Sequence, residues 1–134
     1  RTGRVHGAHV CSEHEWERAA KGADDRNLPT GFRLAPDDAN FDQTYQKNAA
    51  AFGPDEVGAH PGSRSPFGID DMAGNNFEWT ISSVSPEEYV VRGASFSLDE
   101  LTCYSNNRNP NDPSVRLDYY GLRVCAAPAD PSSP

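Results

Sequence analysis

The chain is poor in positive charge, in long apolar runs and in cysteine. Lys and Arg together number 12 against 20 Asp and Glu, for a net charge of −8 over 134 residues. With a pI near 4.8, no basic face is available to release counterions from a phosphate backbone, which excludes a nucleic-acid binder and favours cations as partners. No apolar run approaches the roughly 18 residues of a membrane helix, so no membrane span is predicted. Cysteine is limited to Cys11, Cys103 and Cys125, an odd number with no CxxC or other zinc spacing. A bridge between Cys11 and Cys125 closes a very long loop and contributes about 4–5 kcal/mol in an oxidising compartment. Two buried thiols are the alternative. The chain opens at Arg1 without a Met, an apolar leader or a cleavage signal, so it reads as a piece of a longer product. No compartment is assigned.

What is present is aromatic and turn-rich. Thirteen aromatics argue against general disorder, although the mean hydropathy of −0.74 is low for a self-sufficient globule. Gly and Pro, 11 each, imply many turns and irregular loops. Ser12-Glu13-His14-Glu15 is a capping box. Trp16, Ala19 and Ala20 follow on one face and Gly22 suits the end, which predicts a helix over 13–21. Residues 23–65 hold no sustained period, as in a ligand-stabilised loop region. Strands are predicted at 77–80, 89–93 and 120–125. The Pro/Ser-rich end, 128–134, has a linker's composition and leaves 1–127 as the domain.

Three stretches carry a resemblance. Residues 10–22 read V-C-S-E-H-E-W-E-R-A-A-K-G. Residues 65–80 read S-P-F-G-I-D-D-M-A-G-N-N-F-E-W-T. Residues 91–96 read V-R-G-A-S-F and are followed by Arg108 and by Gly121-Leu122-Arg123-Val124. In order and spacing they resemble the formylglycine-generating-enzyme (sulfatase-modifying factor) family. The resemblance implies a C-type-lectin-like α+β fold, loop-rich, with few short strands and often stabilised by calcium. Family members usually carry an N-terminal portion of strands ahead of the first stretch, and this chain begins at that stretch.

Calcium takes six to eight oxygens from carboxylates, carbonyls and water. By resemblance the ligands are the side chains of Asp71 and Glu78 with the carbonyls of Gly74 and Asn76. The alternative is a metal-free turn in which Asp71 caps and Glu78 pairs with an arginine. A second calcium is implied near Asn40 and Phe41, but its distal Asp has no counterpart before Phe52. The run from Asp38 to Asp42 is no EF-hand, because Gln43 and Ala49 stand where Gly and Glu are needed. His6 and His9 have H-x-x-H spacing and read as surface histidines.

Active family members oxidise a cysteine in a Cys-x-Pro-x-Arg segment to formylglycine, using oxygen, copper in the aerobic enzymes, and two cysteines five residues apart. Soft thiolates suit Cu(I). Cys103 falls at the first of these positions and Arg108 at the second. Oxidase activity is therefore expected to be lost, and Cys103 reads as an inert core thiol. The leading expectation is a calcium-stabilised lectin-like binding or regulatory module of a larger bacterial protein, such as a Ser/Thr kinase. Its binding surface, for a protein or a small ligand, is expected at 97–120. There Asp99, Tyr104, Asn106, Asn107, Asn109, Asn111, Asp112, Tyr119 and Tyr120 combine polar and aromatic groups. The alternative for this segment is a solvated loop of turn-forming residues. Two other functions remain: an active copper oxidase using Cys103, and a diversified ligand-display protein of the retroelement variable type.

Overall fold

The computed structural model describes residues 7–46 and 48–126. His6 and the 128–134 tail lie outside them. Strand β1 (Ala8–Val10) leads into helix α1 (Glu13–Lys21), two single-turn 3-10 helices follow (Ala49–Ala51 and Pro61–Ser63), and five strands close the chain. These are β2 (Phe77–Ile81), β3 (Tyr89–Arg92), β4 (Asn109–Asn111), β5 (Tyr120–Leu122) and β6 (Val124–Ala126). The architecture is α+β and loop-rich.

The helix spans the predicted residues, and its cap is local chemistry. Ser12 Oγ accepts from Glu15 N at 3.3 Å, and the Glu15 carboxylate accepts from Ser12 N at 2.8 Å. Gly22 ends it at φ +73, where a Cβ would stand 2.7 Å from Pro66.

The central sheet has the order β4-β3-β2-β5, with β5 parallel to β2 and the other pairs antiparallel. Alternation along a strand sends successive side chains to opposite faces. Phe77 and Val91 therefore join Leu28, Leu34, Phe41, Ala94 and Cys103 in one apolar cluster. Across the sheet, Trp16, Ala20, Met72 and Cys11 form the second cluster under the helix. Thr80, Val90 and Arg92 are buried on the face of the sheet opposite Phe77 and Val91.

The predicted strand at 120–125 is instead two strands in two sheets. Residues 120–122 pair with β2, and residues 124–126 pair with β1. Arg123 stands at the break, its side chain turned onto Glu78 and the Asp70 carbonyl. Cys125 lies opposite His9 in the small sheet and is bridged to Cys11, which decides between the two readings of these cysteines.

Candidate functional site

A cavity of about 490 Å³ opens beside the central sheet. Its aromatic wall is Phe77, Tyr119 and Tyr120, and its polar wall is Ser95, Ser97, Thr102, Asn107, Arg108 and Asn109. Tyr120 packs edge-on against Tyr119, Trp79 and Phe77 with centroids 5.1, 5.2 and 6.0 Å away, which fixes the wall. Its hydroxyl accepts from Asn111 Nδ2 at 2.6 Å. Asn107 Nδ2 donates to the Thr102 carbonyl at 2.9 Å and holds the loop closed.

The structure brings together four of the seven principal predicted ligand-binding residues: Asn107, Asn109, Tyr119 and Tyr120. Asp99 does other work, accepting from Thr102 N and Oγ1 at 2.9 and 2.8 Å to form a turn. Those bonds lower its pKa. Tyr104 packs against the core cluster, and Asn106 is exposed without lining the cavity. Asn111 supports Tyr120 from behind, and Asp112 caps Ser114 N at 2.8 Å. Sequence reasoning missed Phe77 and Ser95, because only the folded sheet sets strand β2 and the turn before Ser97 beside the loop. Ser97 and Thr102 lie within the expected 97–120 segment without having been singled out.

Arg108 is the one charged side chain in the lining. Its Nε donates to Glu13 Oε1 at 3.0 Å, and its Nη2 donates to Glu13 Oε2 at 2.9 Å and Glu88 Oε2 at 3.1 Å. Arg92, 2% exposed, reaches the same Glu13 at 3.0 Å and Glu17 at 2.6 Å. Burial pushes the Glu13 carboxyl up, but hydrogen bonds from Arg108 and Ser83 and the charge of Arg92 hold it down at about 2. With Arg108 neutralised, the cavity presents hydroxyls, amides and rings.

Cys103 is fully buried and does not line this cavity. Burial pushes its thiol up to about 12, and the carboxylates of Asp99 and Asp42 push the same way. A thiol held protonated is neither nucleophile nor metal ligand.

The residues expected to hold calcium lie on the other side of β2. Asp71, Asn76 and Glu78 open onto a cavity of about 390 Å³, together with Asn75 and Arg123. Gly74 does not line it. Its φ is +72, and a Cβ there would stand 2.2 Å from the Asn40 carbonyl oxygen, so the segment requires glycine. Asp71 Oδ2 accepts from Gly58 N at 2.8 Å. Glu78 accepts from Arg123 Nε and Nη2 at 2.7 and 2.6 Å and from Trp16 Nε1 at 2.6 Å. Asn76 Oδ1 is buried without a hydrogen-bond partner. Among the described residues, no three His, Cys, Asp or Glu side chains converge, so an ion here leans on carbonyl and amide oxygens. Asp71, Asn76 and Glu78 offer oxygens to one cavity with a partnerless buried acceptor, which suits calcium in kind. Asp71 accepting from Gly58 N and Glu78 paired with Arg123 are the contacts of the metal-free alternative. Arg123 reduces the charge that the ion meets.

At the second implied calcium position, the Asn40 side chain bridges loops. Its Nδ2 donates to Gly53 O at 2.9 Å and Asn75 Oδ1 at 3.3 Å, while the Asn40 backbone carbonyl accepts from Asn75 N. Phe41 is buried in the first cluster. His9 is an exposed partner of Glu15 at 3.0 Å.

The sulfatase-modifying factor enzyme 1-like domain matches residues 4–128. The chain belongs to this family, which includes the formylglycine-generating enzymes, and its fold is the family's C-type-lectin-like α+β fold. It is 33% identical over 138 residues to the inactive C-alpha-formylglycine-generating enzyme 2 of Mus musculus, covering 92% of this chain and 44% of that protein. It is 29% identical to the hercynine oxygenase of Mycobacterium tuberculosis, over 88% of this chain and 32% of that one. Relatives thus include an inactive protein and an oxygenase, and the chain spans less than half the length of either. Among solved structures, Treponema denticola variable protein 1 superposes with a TM-score of 0.73 at 23% identity, over 90% of this chain and 48% of that one.

Proposed function

We propose that this chain is a ligand-binding module of the family without its oxidase chemistry, stabilised by calcium held at Asp71, Gly74, Asn76 and Glu78. The observation that carries the reading is Arg108. It stands five residues after Cys103, where the oxidases need their second thiolate, and is fixed there by Glu13 and Glu88. Cu(I) held by paired thiolates has no counterpart in a protonated Cys103 and a guanidinium. The cavity beside them supports binding instead. Rigid rings and adaptable amides are the usual makings of a recognition surface, and about 490 Å³ falls in the ordinary range for small-ligand sites. Calcium supplies the charge that lets acidic and carbonyl oxygens share the loop between Asp71 and Glu78. The ligand is a small molecule or a protein segment, presented from within a larger chain such as a signalling kinase.

The test is incubation of the copper-loaded protein with a Cys-x-Pro-x-Arg peptide, read by mass. The peptide is expected to return unchanged. An aldehyde product that disappears in Cys103→Ser would contradict the reading and restore the oxidase.

A further inference from the structure

We infer that Arg123 competes with calcium for Glu78 and so sets the loop's affinity for the ion. This rests on the calcium reading above. The guanidinium grips Glu78 at both oxygens, at 2.6 and 2.7 Å, in the two-pronged geometry that makes Arg–carboxylate pairs strong. It is held from behind as well. Nη2 also donates to the Asp70 carbonyl at 3.0 Å, and the Arg123 carbonyl lies 3.4 Å from Cys11 Sγ, beside the Cys11–Cys125 bridge. The strand break places Arg123 here, since residues 122 and 124 belong to different sheets.

The consequence is electrostatic. Asp71 and Glu78 offer two negative charges to the cavity, and Arg123 cancels one. A divalent ion that reaches Glu78 meets a fixed positive charge bonded to the same carboxylate, and repulsion at such range is large away from bulk water. A carboxylate can accept more bonds than Arg123 and Trp16 make to it, so the ion and the guanidinium share Glu78 at a cost in affinity. Calcium sites tune affinity through the ligand charge count. Arg123 performs that tuning from outside the ligand set.

The test is a titration of the full chain with Tb³⁺, sensitised by Trp16, followed by displacement with calcium. The thermal midpoint is measured in parallel with and without calcium. Arg123→Gln is expected to bind calcium at least about tenfold more tightly than the wild type, and to depend on calcium for its thermal stability because Glu78 has lost its partner. Arg123→Lys keeps the charge and loses the fork, and is expected to stay within about threefold of the wild type. Equal or weaker binding by Arg123→Gln overturns the inference, and so does tightening in Arg123→Lys as great as in Arg123→Gln. If neither the wild type nor any variant binds Tb³⁺ or calcium, the calcium reading itself fails and takes this inference with it.

Discussion

Glu13 is 3% exposed and still ionised, because Arg92, Arg108 and the Ser83 amide all donate to it. Its folded pKa, about 2, lies below its ordinary 4.5. The depressed value means that its stabilising contribution is complete above about 4.5 and is lost as pH falls towards 2. Acid unfolding followed by circular dichroism should show this limb, and Glu13→Gln should flatten it. The same variant leaves two arginines short of a buried partner, so a loss of about 3–5 kcal/mol is expected by urea titration at neutral pH. Gly74 makes a second residue-scale case. Gly74→Ala drives a methyl into the Asn40 carbonyl at a positive φ, and should cost more than about 1 kcal/mol in the same titration. The need for glycine at 74 comes from the close approach of the Asn40 carbonyl, 34 residues earlier in the chain. The roles of Arg92 and Arg108 were not legible in the sequence, since each acts on a carboxylate 79 or 95 residues away. The arginine that the alternative reading paired with Glu78 is Arg123, 45 residues on.

Elements that rest on local chemistry were the ones the sequence made plain. The Ser12/Glu15 box and the Trp16/Ala20 face define α1 without outside help, and the apolar cores of β2 and β3 mark those strands. Strands β1 and β4 were missed. Each is three residues long, and β4 contains Pro110. The division of 120–125 was missed for another reason. Its residues read as one apolar strand, and only the distant partners β2 and β1 split it at Arg123. The disulfide then ties that split end to the start of the helix across a separation of 114 residues. Removing it with Cys11→Ala and Cys125→Ala should lower stability by about 2–5 kcal/mol. The comparison is a urea titration of the oxidised wild type against the double variant, and equal midpoints would show that the β1–β6 sheet holds without its bridge.

At the scale of the whole molecule, β2 divides two cavities. One side of it faces the ringed cavity through Phe77, and the other carries Glu78 towards the calcium positions. The loop from Met72 to Asn76 joins them, since Gly74 and Asn75 bond to Gly93 and Asn40 while Asn75 O accepts from Phe96 N. On the proposed reading, calcium at Asp71 and Glu78 would stiffen the support of the cavity wall through these contacts. The family and its fold were legible in three short stretches. The cavity was legible only in part, because Phe77 and Ser95 come from a strand and a turn outside the 97–120 segment.

The most direct measurement is the thermal midpoint in 10 mM calcium and again in chelator, for the wild type and for Asp71→Ala. An ion bound only by the native state raises the midpoint by mass action. The account predicts a rise of a few degrees in the wild type that vanishes in Asp71→Ala. Cooperative melts at one temperature in calcium and in chelator would contradict it.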